Sequence, residues 1–128
     1  MDDELLVATL KRVREVIPEG WRAYERGRAY MDGEIRPQTV TVAVDYSGTA
    51  NPEITAVGVD VDVWAPGSGE ADDVANAVER DLHRRALATA RQGGARLWGG
   101  SRETMETDSD GVSHVTMRLT GRAFRRMA

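Results

Sequence analysis

Hydrophobic residues fall along this chain in two distinct rhythms. From Asp3 to Ile17 the apolar positions Leu6, Leu10, Val13 and Ile17 recur at spacings of three and four, which predicts a helix with one buried stripe. Asp2, Asp3 and Glu4 lie where the helix dipole favours negative charge, and Pro18 with Gly20 stops the helix. Between Trp21 and Arg36 the periodicity is poor: Tyr24 and Tyr30 fit short strands, with Gly27 and Gly33 in their turns. After Pro37 the rhythm changes to two. Thr39-Val40-Thr41-Val42-Ala43-Val44 alternates and is β-branched, so a half-buried strand is expected with Val40, Val42 and Val44 inward. Turn-forming residues from Ser47 to Pro52 break it.

Alternation is stricter from Ile54 to Trp64. Val57, Val59, Val61 and Val63 share one face, leaving Gly58, Asp60, Asp62 and Trp64 on the other. Ala65 to Gly69 ends the strand, and Ser68 or Gly69 is the expected N-cap of a helix running to about Ala90. Its inward positions are Ala71, Val74, Ala75, Val78, Leu82 and Ala86, mostly small, so it can lie close to a sheet. Arg84, Arg85 and Arg91 suit its last turns and Gly93-Gly94 its termination. Two more strands follow, Arg96 to Glu106 and Val112 to Phe124, joined by an Asp-Gly hairpin signal at Asp110-Gly111. Val115, Met117 and Leu119 point inward. Sequential hairpins and two one-sided helices predict a single α+β domain over residues 1–128, a two-layer sandwich of a mainly antiparallel sheet with both helices on one face.

Composition narrows the function. The chain has 128 residues, 41% of them hydrophobic and 30% charged, ordinary values for a folded domain. No apolar run approaches the roughly 20 residues that span a bilayer, and the acidic first residues are unlike a signal peptide, so a cytosolic product without membrane partners is expected. The absence of cysteine removes disulfides, thiolate metal sites and cysteine nucleophiles. A net charge of −4 argues against an electrostatic nucleic-acid binder. Positive charge gathers late, at Arg118, Arg122, Arg125 and Arg126, which reads as a basic tail over about residues 120–128.

Candidate chemistry is sparse. His83 reads as a solvated helix residue and His114 alternates outward from Val115; neither carries a motif, and no metal-binding spacing occurs. Gly67-Ser68-Gly69 lacks the closing lysine of a phosphate loop, and the following acids would repel an anion. Asp60 and Asp62 project side by side on a strand, not across a cleft as glycosidase carboxylates do. With Trp64 beside them they form either a solvated sheet face or a subunit or lumen surface. No catalytic residue, cofactor or metal site is expected.

One resemblance runs over nearly the whole chain. It rests on the strand ending Val63-Trp64-Ala65, the Gly/Ser turn, the acid-started helix with Val74-Ala75-Asn76-Ala77-Val78 and Leu82, then Ala95-Arg96-Leu97. The acidic tip Asp108-Ser109-Asp110-Gly111 and the closing strand His114 to Leu119 complete it. With the N-terminal helix and the Pro37-led strand, this order resembles the tail terminator (tail completion) family of long-tailed, siphovirus-type phages. The resemblance implies a non-enzymatic subunit forming a hexameric ring at the tail-neck junction of the virion. Such a ring halts polymerisation of the tail tube protein and offers a surface to the head completion or connector protein, with DNA only as passing cargo. On that reading Asp60 and Asp62 make an acidic inner wall. The polar loops Ser47 to Pro52 and Thr107 to Gly111, with Asp108 and Asp110, are docking segments, and Arg122, Arg125 and Arg126 a docking tail. Two other classes fit the same residues: another head-tail neck protein, or a small ligand-binding or enzymatic α+β domain using the Trp64 face. A host adaptor is a third.

Overall fold

The computed structural model describes residues 4–27, 37–47, 54–87, 94–105 and 111–124. The elements in chain order are α1 (Glu4–Val16), β1 (Arg22–Glu25), β2 (Thr39–Ser47), β3 (Ile54–Ala65), α2 (Ser68–Leu82), β4 (Ala86–Leu87), β5 (Ala95–Met105) and β6 (Ser113–Phe124). Six strands form one sheet in the order β1-β2-β3-β6-β5-β4. All ladders are antiparallel except β1–β2, which is parallel with Arg22 opposite Thr39. This is the expected α+β architecture, with helices packed on a sheet.

The alternating valines explain the layering. Val40 and Val42 of β2, Val57, Val59, Val61 and Val63 of β3, and Val115, Met117 and Leu119 of β6 are all buried, on the face against which both helices pack. Val44, expected to face inward, is only partly buried at the far end of β2. Fully burying a side chain of this size contributes roughly 1.5–3 kcal/mol, so the three central strands hold a large share of the gain. On α2 the buried residues are Ala71, Val74, Ala75, Val78 and Leu82; the two alanines bring the helix close to the sheet. On α1 the buried set is Leu5, Thr9, Leu10 and Val13, and Leu6 and Ile17 lie at its margin. The stripe is displaced from the expected one because α1 wedges between β1, β2 and α2 and buries a wider arc. Thr9 tolerates burial because its hydroxyl donates to the Leu5 carbonyl at 2.7 Å.

Several expected boundaries move. The residue that caps α2 is Gly67, in extended backbone with no side-chain cap, and not Ser68 or Gly69. The helix ends at Leu82, about two turns before Ala90. His83 closes it through its N–H to the Glu79 carbonyl, Arg84 adopts a left-handed φ of 62°, and the Arg84 N–H donates to the Leu97 carbonyl at 2.7 Å. A sheet hydrogen bond thus outcompetes further helix. Ala86 becomes an exposed β4 residue, and Leu87 is buried instead. Tyr24 lies in β1, whereas Tyr30, Gly33, Arg91 and Gly93 lie outside the described residues. The segment read as a basic tail begins inside β6, which runs to Phe124.

An ion cluster ties the helices together. Arg12 of α1 donates to both carboxylate oxygens of Asp81 on α2, at 2.7 and 3.2 Å, and Arg85 adds a bond at 3.0 Å. Burial alone would push the Asp81 carboxyl up, but the hydrogen bonds and charges of Arg12 and Arg85 override it and hold it below the ordinary range. Among the described residues no helix is long and apolar enough to cross a membrane.

Leu82→Ala removes a fully buried side chain from the helix-sheet seam. It is expected to cost about 3 kcal/mol, read as a lower urea midpoint with an unchanged slope. For Asp81 the sign follows from its depressed folded value: its stabilisation is complete above about pH 4 and is lost as pH falls through that lower value. Asp81→Asn should therefore melt several degrees below wild type at neutral pH, and the gap should close in thermal scans run towards pH 2.

Candidate functional site

The sheet face opposite the helices carries the polar residues of β2, β3, β6 and β5, and the register sets them in rows. Asp45, Gly58, Thr120 and Trp98 lie side by side; the next row holds Asp60, Arg118 and Ser101; beyond it come Thr41, Asp62, Thr116 and Glu103, then Trp64 and His114. Arg118 is the hub of the first rows. Its Nη1 donates to Asp45 Oδ2 at 2.8 Å and to Asp60 Oδ1 at 3.0 Å, and its Nη2 to Asp45 Oδ1 at 3.0 Å. Reaching Asp45 takes the guanidinium across β3 at Gly58, where a Cβ would collide with it. Glycine leaves room for this crossing; a larger residue would displace the guanidinium. The fork on Asp45, backed by Asp60, raises the Arg118 pKa, and the same bond holds the half-exposed Asp45 carboxyl below its ordinary value.

Asp62 is the centre of the second cluster. It is 5% exposed, the one buried charged residue among those described. Arg26, just past β1, donates from Nη2 to Asp62 Oδ2 at 2.6 Å, and His114 Nε2 lies 2.8 Å from Oδ1. An ionised carboxylate can only accept, so the histidine donates. The ring of His114 stacks on Trp64, its direct cross-strand neighbour, with centroids 3.6 Å apart and planes 12° from parallel. Arg26 Nε, Thr41 Oγ1 and Trp64 Nε1 are buried without a hydrogen-bond partner, and all three belong to residues bordering Asp62.

These contacts correct the simple picture of a solvated acidic face. Asp62 is enclosed, both acids are matched by arginine, and Trp64 is covered by an imidazole. Nor is His114 a bystander; it locks β6 to β3. His83 is likewise more than a solvated helix residue, because its Nδ1 accepts the Gly99 N–H at 2.8 Å. It lines a cleft of about 320 Å³ with Asn76, Glu79, Arg80, Gly99 and Gly100, and a second cleft of about 410 Å³ lies between the end of α1 and β1. An Asp–His pair is the orienting half of a nucleophilic triad. Among the described residues no hydroxyl is hydrogen-bonded to His114, and no group of side chains is placed to hold a metal ion.

Outside comparison supplies the fold's relation to known proteins. No family model and no curated protein sequence matches the chain. Its fold is similar to that of a chain in the virion of a native gene transfer agent particle. The TM-score is 0.60 at 16% identity, over 95% of this chain and 86% of that one. At that identity the likeness is one of fold.

Of the residues singled out in sequence, Asp60, Asp62 and Trp64 share one face, and Arg122 lies exposed near the end of β6, opposite Ala56 and Arg96. Asp108, Asp110, Arg125 and Arg126 lie outside the described residues, as do Gly48 to Pro52 and Thr107 to Asp110 of the two loops. Sequence reasoning missed Arg26, Asp45, Arg118 and Trp98 as members of this face. Arg118 was within reach, since β5 and β6 pair in unbroken register from Met105–His114 to Ser101–Arg118; Trp98 lies beyond the bulge at Gly100, which no local pattern announces.

Gly58→Ala is expected to expel the Arg118 guanidinium from its place over β3. Asp45 should then titrate close to the ordinary aspartate value near 4, measured by NMR on its side-chain carboxyl. An unchanged Asp45 titration would show that the guanidinium is not lodged there.

Proposed function

We propose that this chain is a non-enzymatic assembly subunit of a phage-like virion, acting as a tail terminator at the tail-neck junction. The observation that carries this reading is the fold it shares, over nearly all of both chains, with a component of a gene transfer agent virion. Two features of the molecule favour a role in contact. Ser101 to Thr104 of β5 are exposed, and among the described residues β5 is paired on this side only at Ala95 and Arg96, with a further bridge at Leu97, which leaves these exposed positions accessible to another chain. The acids at the centre of the polar sheet face, Asp45, Asp60 and Asp62, are matched by Arg118 and Arg26, which suits a surface meeting other protein more than one binding a small ion.

In this reading identical copies form a hexameric ring on the finished tail tube. The ring blocks addition of further tube protein and turns its other side to the head completion or connector protein, while DNA passes through. Asp60 and Asp62 are matched by Arg118 and Arg26, so DNA would meet a neutralised surface if this face lines the channel. A head-completion role uses the same size and fold, and the two differ in partner.

Purified protein added to polymerising tail-tube subunits should yield tubes of limited length with a ring at one end by electron microscopy. Tubes growing without limit in a molar excess of the protein would remove the capping role. Binding to the connector alone would assign the chain to head completion.

A further inference from the structure

At the end of the sheet where β6 finishes and β5 begins, Arg96 and Arg122 are direct cross-strand partners, and Trp98 and Thr120 form the adjoining row on the same face. All four are exposed, Trp98 at 38%. Like charges set opposite each other on neighbouring strands repel and destabilise the sheet. Neither Arg96 nor Arg122 is in an ion pair among the described residues, in contrast to Arg118 two residues before Thr120, which serves two acids. Folding alone thus gives no reason for this pair. Tryptophan and arginine together, without lysine, are the residues that dominate the energetics of protein contacts.

The opposite end of the slab has the complementary charge. β3 runs away from Arg122, pairing Ala56 with it near one end and Ala65 with Ser113 at the other, where α2 starts. Asp72 and Asp73 stand in the first turns of that helix; Asp73 is exposed, and neither is in an ion pair among the described residues. A chain with net charge −4 therefore carries a basic, aromatic patch at one end and unmatched acids at the other.

From this arrangement we infer that the Arg96–Trp98–Arg122 patch docks the acidic α2 end of a second copy of this chain. The contact is heterologous: one end of each copy meets the other end of the next, so repetition gives a closed ring or an open array. It rests on the reading above that the protein works as repeated copies, and adds which surfaces meet. Tryptophan supplies the apolar anchor, and the arginines supply direction, since two like ends repel.

The test is a charge exchange followed by sedimentation velocity over a concentration series. Arg122→Glu turns the repulsive Arg96 pair into an attractive one, so its melting temperature should equal or exceed that of wild type, and lost association cannot be ascribed to unfolding. Association should weaken on the order of tenfold for Arg122→Glu and similarly for Asp73→Arg. An equimolar mixture of the two variants should recover it, because each supplies the charge the other lacks. Higher salt should weaken wild-type association, as expected for contacts screened within about 10 Å. Wild type that stays monomeric throughout, an Arg122→Glu chain that associates normally, or a mixture without recovery would overturn the contact. So would an Arg122→Glu chain that loses only duplex DNA binding, which would assign the patch to nucleic acid. Rings that obey the charge exchange yet leave tubes uncapped retain this contact and remove the terminator role; capping rings indifferent to the exchange do the reverse.

Discussion

Burial of the valine face of β3 against two helices is the constraint from which the rest of the molecule follows. β3 sits inside the sheet between β2 and β6, and its Val57, Val59, Val61 and Val63 meet the buried residues of both neighbours on the helical side. A strand has period two, so committing these four positions to the core sends Gly58, Asp60, Asp62 and Trp64 to the other face. Slipping the register by one residue would drive two carboxylates under the helices. The same commitment dictates the composition of α2, whose small residues let it approach this layer closely.

Once two aspartates are placed on a central strand, their surroundings must supply positive charge or keep them in water. This protein uses the first route. Arg118 comes from β6, crosses the strand through the gap left by Gly58 and reaches Asp45 on β2, joining three strands with one guanidinium. Arg26 approaches from the end of β1 and His114 from β6, enclosing Asp62 between a cation and a ring stacked on Trp64. Breaking a buried pair by removing one partner costs far more than its net contribution, so such networks specify one arrangement more than they add stability.

The proposed contact role places function on the outside of the molecule. The polar network binds its own members, the clefts are lined by scattered side chains, and the sheet ends differ in charge. A slab with exposed β5 residues and oppositely charged ends can be repeated, whereas a reacting centre would require titratable groups converging on a shared space.

Periodicity alone located α1, the valine strands, most of α2 and the closing hairpin, because each signal lies within a dozen residues and depends only on which side chains avoid water. It also placed Asp60, Asp62 and Trp64 together. What it could not reach depends on partners distant in the chain. The early end of α2 at Leu82 comes from a bond between Arg84 and Leu97, the parallel placing of β1 comes from its docking on β2, and the shifted stripe of α1 comes from packing on several elements at once. Likewise, the sequence shows two acids on a strand but not that Arg26, 36 positions from Asp62, and Arg118, 58 positions from Asp60, neutralise them. Local spacing determined which residues face water or core; only tertiary structure decided which charges meet, since an ion pair depends on distance in space and leaves no period in the chain.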